Sequence, residues 1–138
     1  MTDIDVDGIE VGEHRGAPVV LAATRRAWED WLARHHADRT EVWLKIAKKS
    51  AKAERTIDAQ DGLRGALCFG WIDSVRHPLD GEYFLQRYGP RRAKSPWSRR
   101  NIGIVGELTA AGRMREPGLA EVERAKADGR WATGLGTG

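Results

Sequence analysis

From Glu41 to Lys49 the apolar side chains Val42, Leu44 and Ile46 take every second position, the period of a β-strand with one buried face. Upstream, Trp28, Trp31, Leu32 and His35 recur at helical spacing behind Thr24, a suitable N-cap, so the pattern predicts a helix ending near His36. A second helix is expected to start at Asp58, with Asp61 in its first turn, Leu63, Ala66 and Leu67 facing inward, and Gly70 as its stop. Gly62 and Gly65 each cost that helix about 1 kcal/mol relative to alanine. Packing must therefore hold it, and the glycines mark a close approach by another element.

Two short extended runs follow, WIDSV and EYFLQRY, joined by RHPLDG, whose Pro and Asp-Gly are turn chemistry; together they read as a hairpin. Ser95 then fits an N-cap and Pro96 a first helical position, with Trp97, Asn101, Ile104, Val105 and Leu108 on one face and Gly112 as the end. A last helix is expected from Pro117 to Gly129, turning Leu119, Val122 and Ala125 inward. Without a repeat or a βαβ rhythm, the chain reads as α+β: one domain over 18–131, a small antiparallel sheet packed with about four helices. Residues 1–17 read as a flexible acidic arm and 132–138 as a flexible tail.

Composition sets the outer bounds. A chain of 138 residues can bury a core without a staple, and its one cysteine, Cys68, cannot close an internal disulfide. No Cys/His cluster offers a metal site and no motif asks for a cofactor. The opening residues carry acids where a secretory signal carries bases, and no apolar run is long enough for a membrane span. A soluble cytoplasmic protein is the expectation.

Net charge is only +3, but its distribution is lopsided. Asp3, Asp5, Asp7, Glu10 and Glu13 make the start acidic, whereas QRYGPRRAKSPWSRRN (86–101) holds six Arg or Lys and no acid. The arm is thus placed to shield a basic face, although a solvated tail needs no such role. Cations ahead of the first turn of a helix suit a phosphate, carboxylate or sulfate. The expected ligand site is accordingly Arg87, Arg91, Arg92, Lys94, Ser95 and Trp97, with Asp73 and Tyr83 shaping the wall. The same cations could instead pair with the domain's own acids or face water. Six tryptophans beside basic residues suggest base stacking, but the positive charge lies in one loop, so nucleic acid is not the expected partner.

Catalysis has weaker support. Asp73 could orient His77, which could activate Cys68 or a water, in a small hydrolase or transferase that uses the same anion seat. Cys68, in an apolar helical stretch, reads more readily as a buried inert thiol.

The phrases ALCFGWIDS (66–74), YFLQRYGPRRAKSPWSRRN (83–101) and AAGRMREPGLAEVERAKADGRW (110–131) resemble the bacterial YdeI/OmpD-associated family, also called the bacteriocin-protection family. The resemblance spans about Trp28 to Trp131. It implies a role in tolerance of antimicrobial peptides or bacteriocins and in envelope stress, and it carries over no catalytic residue and no cofactor. Ser74 stands where such relatives usually have glycine.

Overall fold

The computed structural model describes residues 9–51 and 55–136. Among the described residues ten elements follow one another: β1 (Ile9–His14), β2 (Ala17–Leu21), α1 (Arg25–His35), β3 (Val42–Ala47), α2 (Ala59–Cys68), β4 (Trp71–Pro78), β5 (Tyr83–Pro90), α3 (Arg99–Ala110), α4 (Glu116–Ala127) and α5 (Arg130–Gly134). The fold class is α+β, as the patterning predicts. Five strands form one sheet in the order β1-β2-β3-β5-β4, antiparallel throughout except for the parallel pair β2 and β3. That parallel pair is the work of α1, which carries the chain from the end of β2 back to the start of β3.

Local chemistry explains most boundaries. Thr24 Oγ1 accepts from Ala27 N at 3.1 Å and Asp58 Oδ1 from Asp61 N at 2.8 Å, each filling an N-cap. Gly70, Gly112 and Gly129 follow α2, α3 and α4 with φ of 77°, 70° and 88°, the left-handed conformation that closes a helix. The close approaches expected at the α2 glycines are present: Gly62 faces Leu44 and the Tyr88 hydroxyl, and Gly65 faces the Trp28 indole.

Helices cover one face of the sheet. Val20, Val42, Leu44, Ile46 and Tyr88 join α1 to α4 in the main core through Trp28, Trp31, Leu63, Leu67, Ile104, Val105, Leu108 and Val122. Trp28 and Trp31 stack with centroids 5.8 Å apart, and Trp28 Nε1 donates to Gly62 O at 2.9 Å. The opposite face carries a small second cluster, Ala17, Val19, Trp43 and Leu85, to which no helical residue contributes. β3 is thus apolar on both sides, since Trp43 is as buried as Leu44. The expectation of one buried face falls short there.

Four further expectations are corrected. Part of the expected arm over 1–17 is ordered: residues 1–8 lie outside the described residues, but Ile9–His14 pairs with Ala17–Leu21 in a hairpin. Arg15 and Gly16 turn it with φ of 54° and 84°, as a two-residue hairpin loop requires. At the other end Arg130–Gly134 is a fifth helix, and Leu135 packs on the core, so the tail is not loose from residue 132. Leu119 is 43% exposed, because α4 turns Gly118, Val122 and Ala125 inward instead. The helix expected at Pro96 starts at Arg99 with Ser98 as N-cap, Ser98 Oγ accepting from Asn101 N at 3.1 Å; Ser95 and Pro96 belong to the preceding loop. No helix among the described residues is long and apolar enough to cross a membrane.

Candidate functional site

β4 and β5 form the hairpin that the sequence predicts, with one irregularity that shapes the site. Their register slips between Asp73 and Arg76, so the carbonyls of Ser74 and Val75 leave the ladder. The buried amide of Gln86 replaces the missing partners, its Nε2 donating to Val75 O at 3.1 Å and Ser74 O at 3.4 Å, while Arg76 Nε donates to its Oε1 at 3.2 Å. A buried amide satisfied on both ends fixes the bulge and, with it, the placement of Ser74.

Beyond β5, residues 91–98 form a loop folded around one cation. Arg91 N donates to Gly70 O at 3.0 Å, and the Arg91 guanidinium lies 3.7 Å from the centroid of the Trp97 ring. Its Nη1 donates to Ser95 Oγ at 3.4 Å, while Arg130 Nη1 donates to Ser95 O at 2.7 Å. Arg91 is only 7% exposed, and burial lowers its pKa to about 10 against the opposing pull of Glu121, leaving it charged at neutral pH. This arginine organises the loop from within.

On the open side of that loop lies a cavity of about 390 Å³ lined by Thr40, Ser74, Arg87, Arg92 and Ser95, with Ile72, Gly89 and Pro90 completing the wall. Arg87 Nε donates to Glu41 Oε2 at 2.6 Å and its Nη1 to Ser74 Oγ at 3.3 Å, so one of its edges is already matched by an acid. Arg92 is exposed and has no acidic partner among the described residues. The net positive charge of the cavity is therefore that of Arg92. Two guanidiniums and three hydroxyls within one hollow can hold an oxyanion, and the lining includes no base able to activate a nucleophile.

Of the residues expected at this site, the structure brings together Arg87, Arg92 and Ser95, with Arg91 directly behind. The others are elsewhere. Trp97 is turned to the far side of the loop, where it meets Trp131 at 5.1 Å and lines a separate hollow with Asp128 and Arg130. Lys94 is exposed and its charge acts on Asp128. Tyr83 lies at the opposite end of β5, with Lys45 Nζ 4.4 Å from its ring centroid. Asp73 pairs with Tyr88 on the helix-covered face and raises the pKa of that buried phenol, after the larger effect of desolvation. No helix N-terminus opens into the cavity, because α3 begins after Ser98.

The catalytic grouping is not assembled. His77 pairs in register with Leu85, which belongs to the open-face cluster, whereas Asp73 is opposite Tyr88 in the main core; the two side chains leave β4 on opposite faces. Cys68 is fully buried in α2, and burial together with the nearby Glu29 raises its thiol pKa to about 11. Among the described residues no three His, Cys, Asp or Glu side chains form a metal-holding group.

Sequence reasoning missed Ser74 and Thr40 as lining residues. For Ser74 the signal was present: alternation along β4 and β5 puts 72 and 74 on the same face as 87 and 89. For Thr40, in the connection before β3, no signal existed. The model of a family described as a domain of unknown function (DUF8412) matches residues 20–121, which takes in the sheet from β2 onward, this cavity and most of the helical layer. No curated protein and no solved structure matches the chain.

Proposed function

The chain belongs to the DUF8412 family of domains, and we propose that this member is a binding module whose ligand presents an oxyanion, a phosphate or carboxylate, to the cavity between β4, β5 and the loop at 91–95. The observation that carries this reading is Arg92, an exposed guanidinium with no acidic partner among the described residues, at the rim of a hollow that also presents Arg87, Ser74 and Ser95. A carboxylate or phosphate accepts two parallel N–H bonds from such a fork, and hydroxyls supply the remaining donors. The loop is preorganised by the buried Arg91 and by Arg130, so little ordering cost falls on the ligand.

The resemblance to the YdeI/OmpD-associated family supports a physiological setting in protection against bacteriocins or antimicrobial peptides, with the module acting in the cytoplasm. A single, buried cysteine fits a reducing compartment. The hydrolase or transferase reading has no observation in its favour, since Asp73 and His77 diverge.

Titration calorimetry at low salt with inorganic phosphate and with small carboxylates tests the binding. Arg92→Ala should weaken it about 10- to 100-fold, the value of one charge-assisted bond. Binding that survives Arg92→Ala unchanged overturns the assignment. In cells, a gene copy carrying Arg92→Ala should fail to restore bacteriocin tolerance to a strain lacking the protein.

A further inference from the structure

At the other end of β3, ~20 Å from the Arg92 cavity at the rise of an extended strand, two hollows of about 430 and 440 Å³ adjoin and share Ala47, Lys48, Lys49 and Asp58. Together they form one groove of the size that takes a small organic ligand. Its two ends differ in chemistry. One holds Arg25, Lys48, Lys49 and Arg55; the other has an apolar floor from Ile46, Ala59 and Phe84, with the Arg76 guanidinium 4.2 Å from the Phe84 ring centroid.

Among the described residues five cations thus line the groove against two acids, Asp58 and Asp61. One Asp58 oxygen is engaged by the Asp61 backbone N–H as a helix cap. Of the cations, only Arg25 meets a carboxylate among the described residues, Glu29 at 3.7 Å; Lys48 Nζ donates to a backbone carbonyl, Asp80 O, and Arg76 to the neutral Gln86 amide. Lys49 and Arg55 are exposed and have no acidic partner among the described residues. Their neighbourhood is built: Thr56 Oγ1 accepts from Ala47 N at 2.8 Å and donates to Ile57 O at 2.8 Å, which ties Arg55 beside the end of β3 where Lys48 and Lys49 emerge. Both helix N-caps at the groove are filled by Thr24 and Asp58, so attraction for an anion comes from these side chains.

A concentrated charge at one end and a flat cation-over-ring surface at the other select for a ligand of matching halves. Lys49, Arg55 and Lys48 suit two linked phosphates, and the outer face of the Arg76 guanidinium suits a planar ring stacked on it. We infer that this groove binds a nucleoside diphosphate or a ligand of the same build, independently of the Arg92 cavity.

The test uses the full chain, ADP and pyrophosphate as probes, and calorimetry at low salt with a salt series. ADP should bind, with affinity falling as salt rises. Lys49→Ala with Arg55→Ala should reduce ADP and pyrophosphate affinity at least about 10-fold. Arg76→Ala should weaken ADP alone, and Arg92→Ala should remove at most a second, weaker event at the other cavity while leaving the tighter ADP event unchanged. Lys49 and Arg55 are exposed, so circular dichroism and melting of the double variant should match the parent. Absence of ADP binding, or ADP binding as tight in the double variant as in the parent, overturns the groove. Loss of ADP binding in Arg92→Ala would move the ligand to the other cavity and equally refute it. Pyrophosphate binding as tightly as ADP, with Arg76→Ala silent, would refute the ring-stacking half.

Discussion

Nε2 of His14 lies 3.0 Å from Nδ1 of His77, although the two residues belong to β1 and β4, the outermost strands of the sheet. In a flat sheet these edges would be ~19 Å apart. Twist and coiling bring two diagonal corners together over the open face, and Trp43 lies beneath, its ring centroid 4.6 Å from each imidazole, edge-on to His14 and stacked on His77. This contact is why a tryptophan on the helix-free face is only 1% exposed.

The clasp makes stability depend on mild acid. Partial burial, then the charge of Arg15 and then His14 hold the His77 pKa below the ordinary imidazole value of 6.5. A base whose pKa is depressed on folding binds fewer protons folded than unfolded, so its contribution is intact above that value and is lost as pH falls through the window beneath it. The melting temperature should therefore fall as pH drops from about 7 to 5, and His77→Gln should flatten that part of the profile. An identical slope in the variant would show that the clasp does not titrate with folding.

Gly65→Ala sets two effects of known size against each other. Helix propensity favours alanine by about 1 kcal/mol. A Cβ at this position, however, would lie 2.6 Å from Trp28 Cδ1, and that indole is fully buried, stacked on Trp31 and bonded to Gly62 O. Overpacking costs about 1–3 kcal/mol, so the variant should be less stable than the parent, read from the urea midpoint.

The elements with strong periodicity and an unambiguous cap were legible: α1 from Thr24, α2 from Asp58, and the hairpin from its Asp-Gly turn, although β4 runs on through Arg76, His77 and Pro78, which the pattern assigns to the connection. The start of α3 was not, because Ser95 and Ser98 are both acceptable caps and the choice falls to Ser98 once Arg91 and Arg130 engage Ser95 from outside the local sequence. The first hairpin was hidden by the acidic residues before it, and its Arg15-Gly16 turn is a weaker signal than Asn-Gly. At the site, charge density located the loop, yet it could not say which guanidinium would be buried on Trp97, paired with Glu41, or left open. Those fates are decided by tertiary partners, as is the divergence of Asp73 from His77 across a bulge.

Cys68 offers a direct reading of core stability. Its thiol is fully buried and its pKa is raised to about 11, so thiolate is scarce at neutral pH and reagent cannot reach it without opening of α2. Labelling with an aromatic disulfide reagent should be slow in the native protein and complete at once in denaturant. Its rate should rise in Gly65→Ala, which loosens the same helix.

Arg91 and Arg92 are neighbours in sequence with opposite roles, and the pair separates scaffold from ligand contact. Removing Arg91 takes away a desolvated cation stacked on Trp97, an interaction of about 2 kcal/mol, along with its bond to Ser95. Arg91→Ala should therefore lower the melting temperature and blur the loop. Arg91→Lys should recover little, since an ammonium cannot lie flat on the indole and bond Ser95 together. Arg92→Ala removes an exposed side chain and should leave stability within about 0.5 kcal/mol of the parent while weakening phosphate binding about 10- to 100-fold. If instead Arg91→Ala melts like the parent and both variants lose phosphate equally, Arg91 reaches the ligand itself and the loop is not built around it.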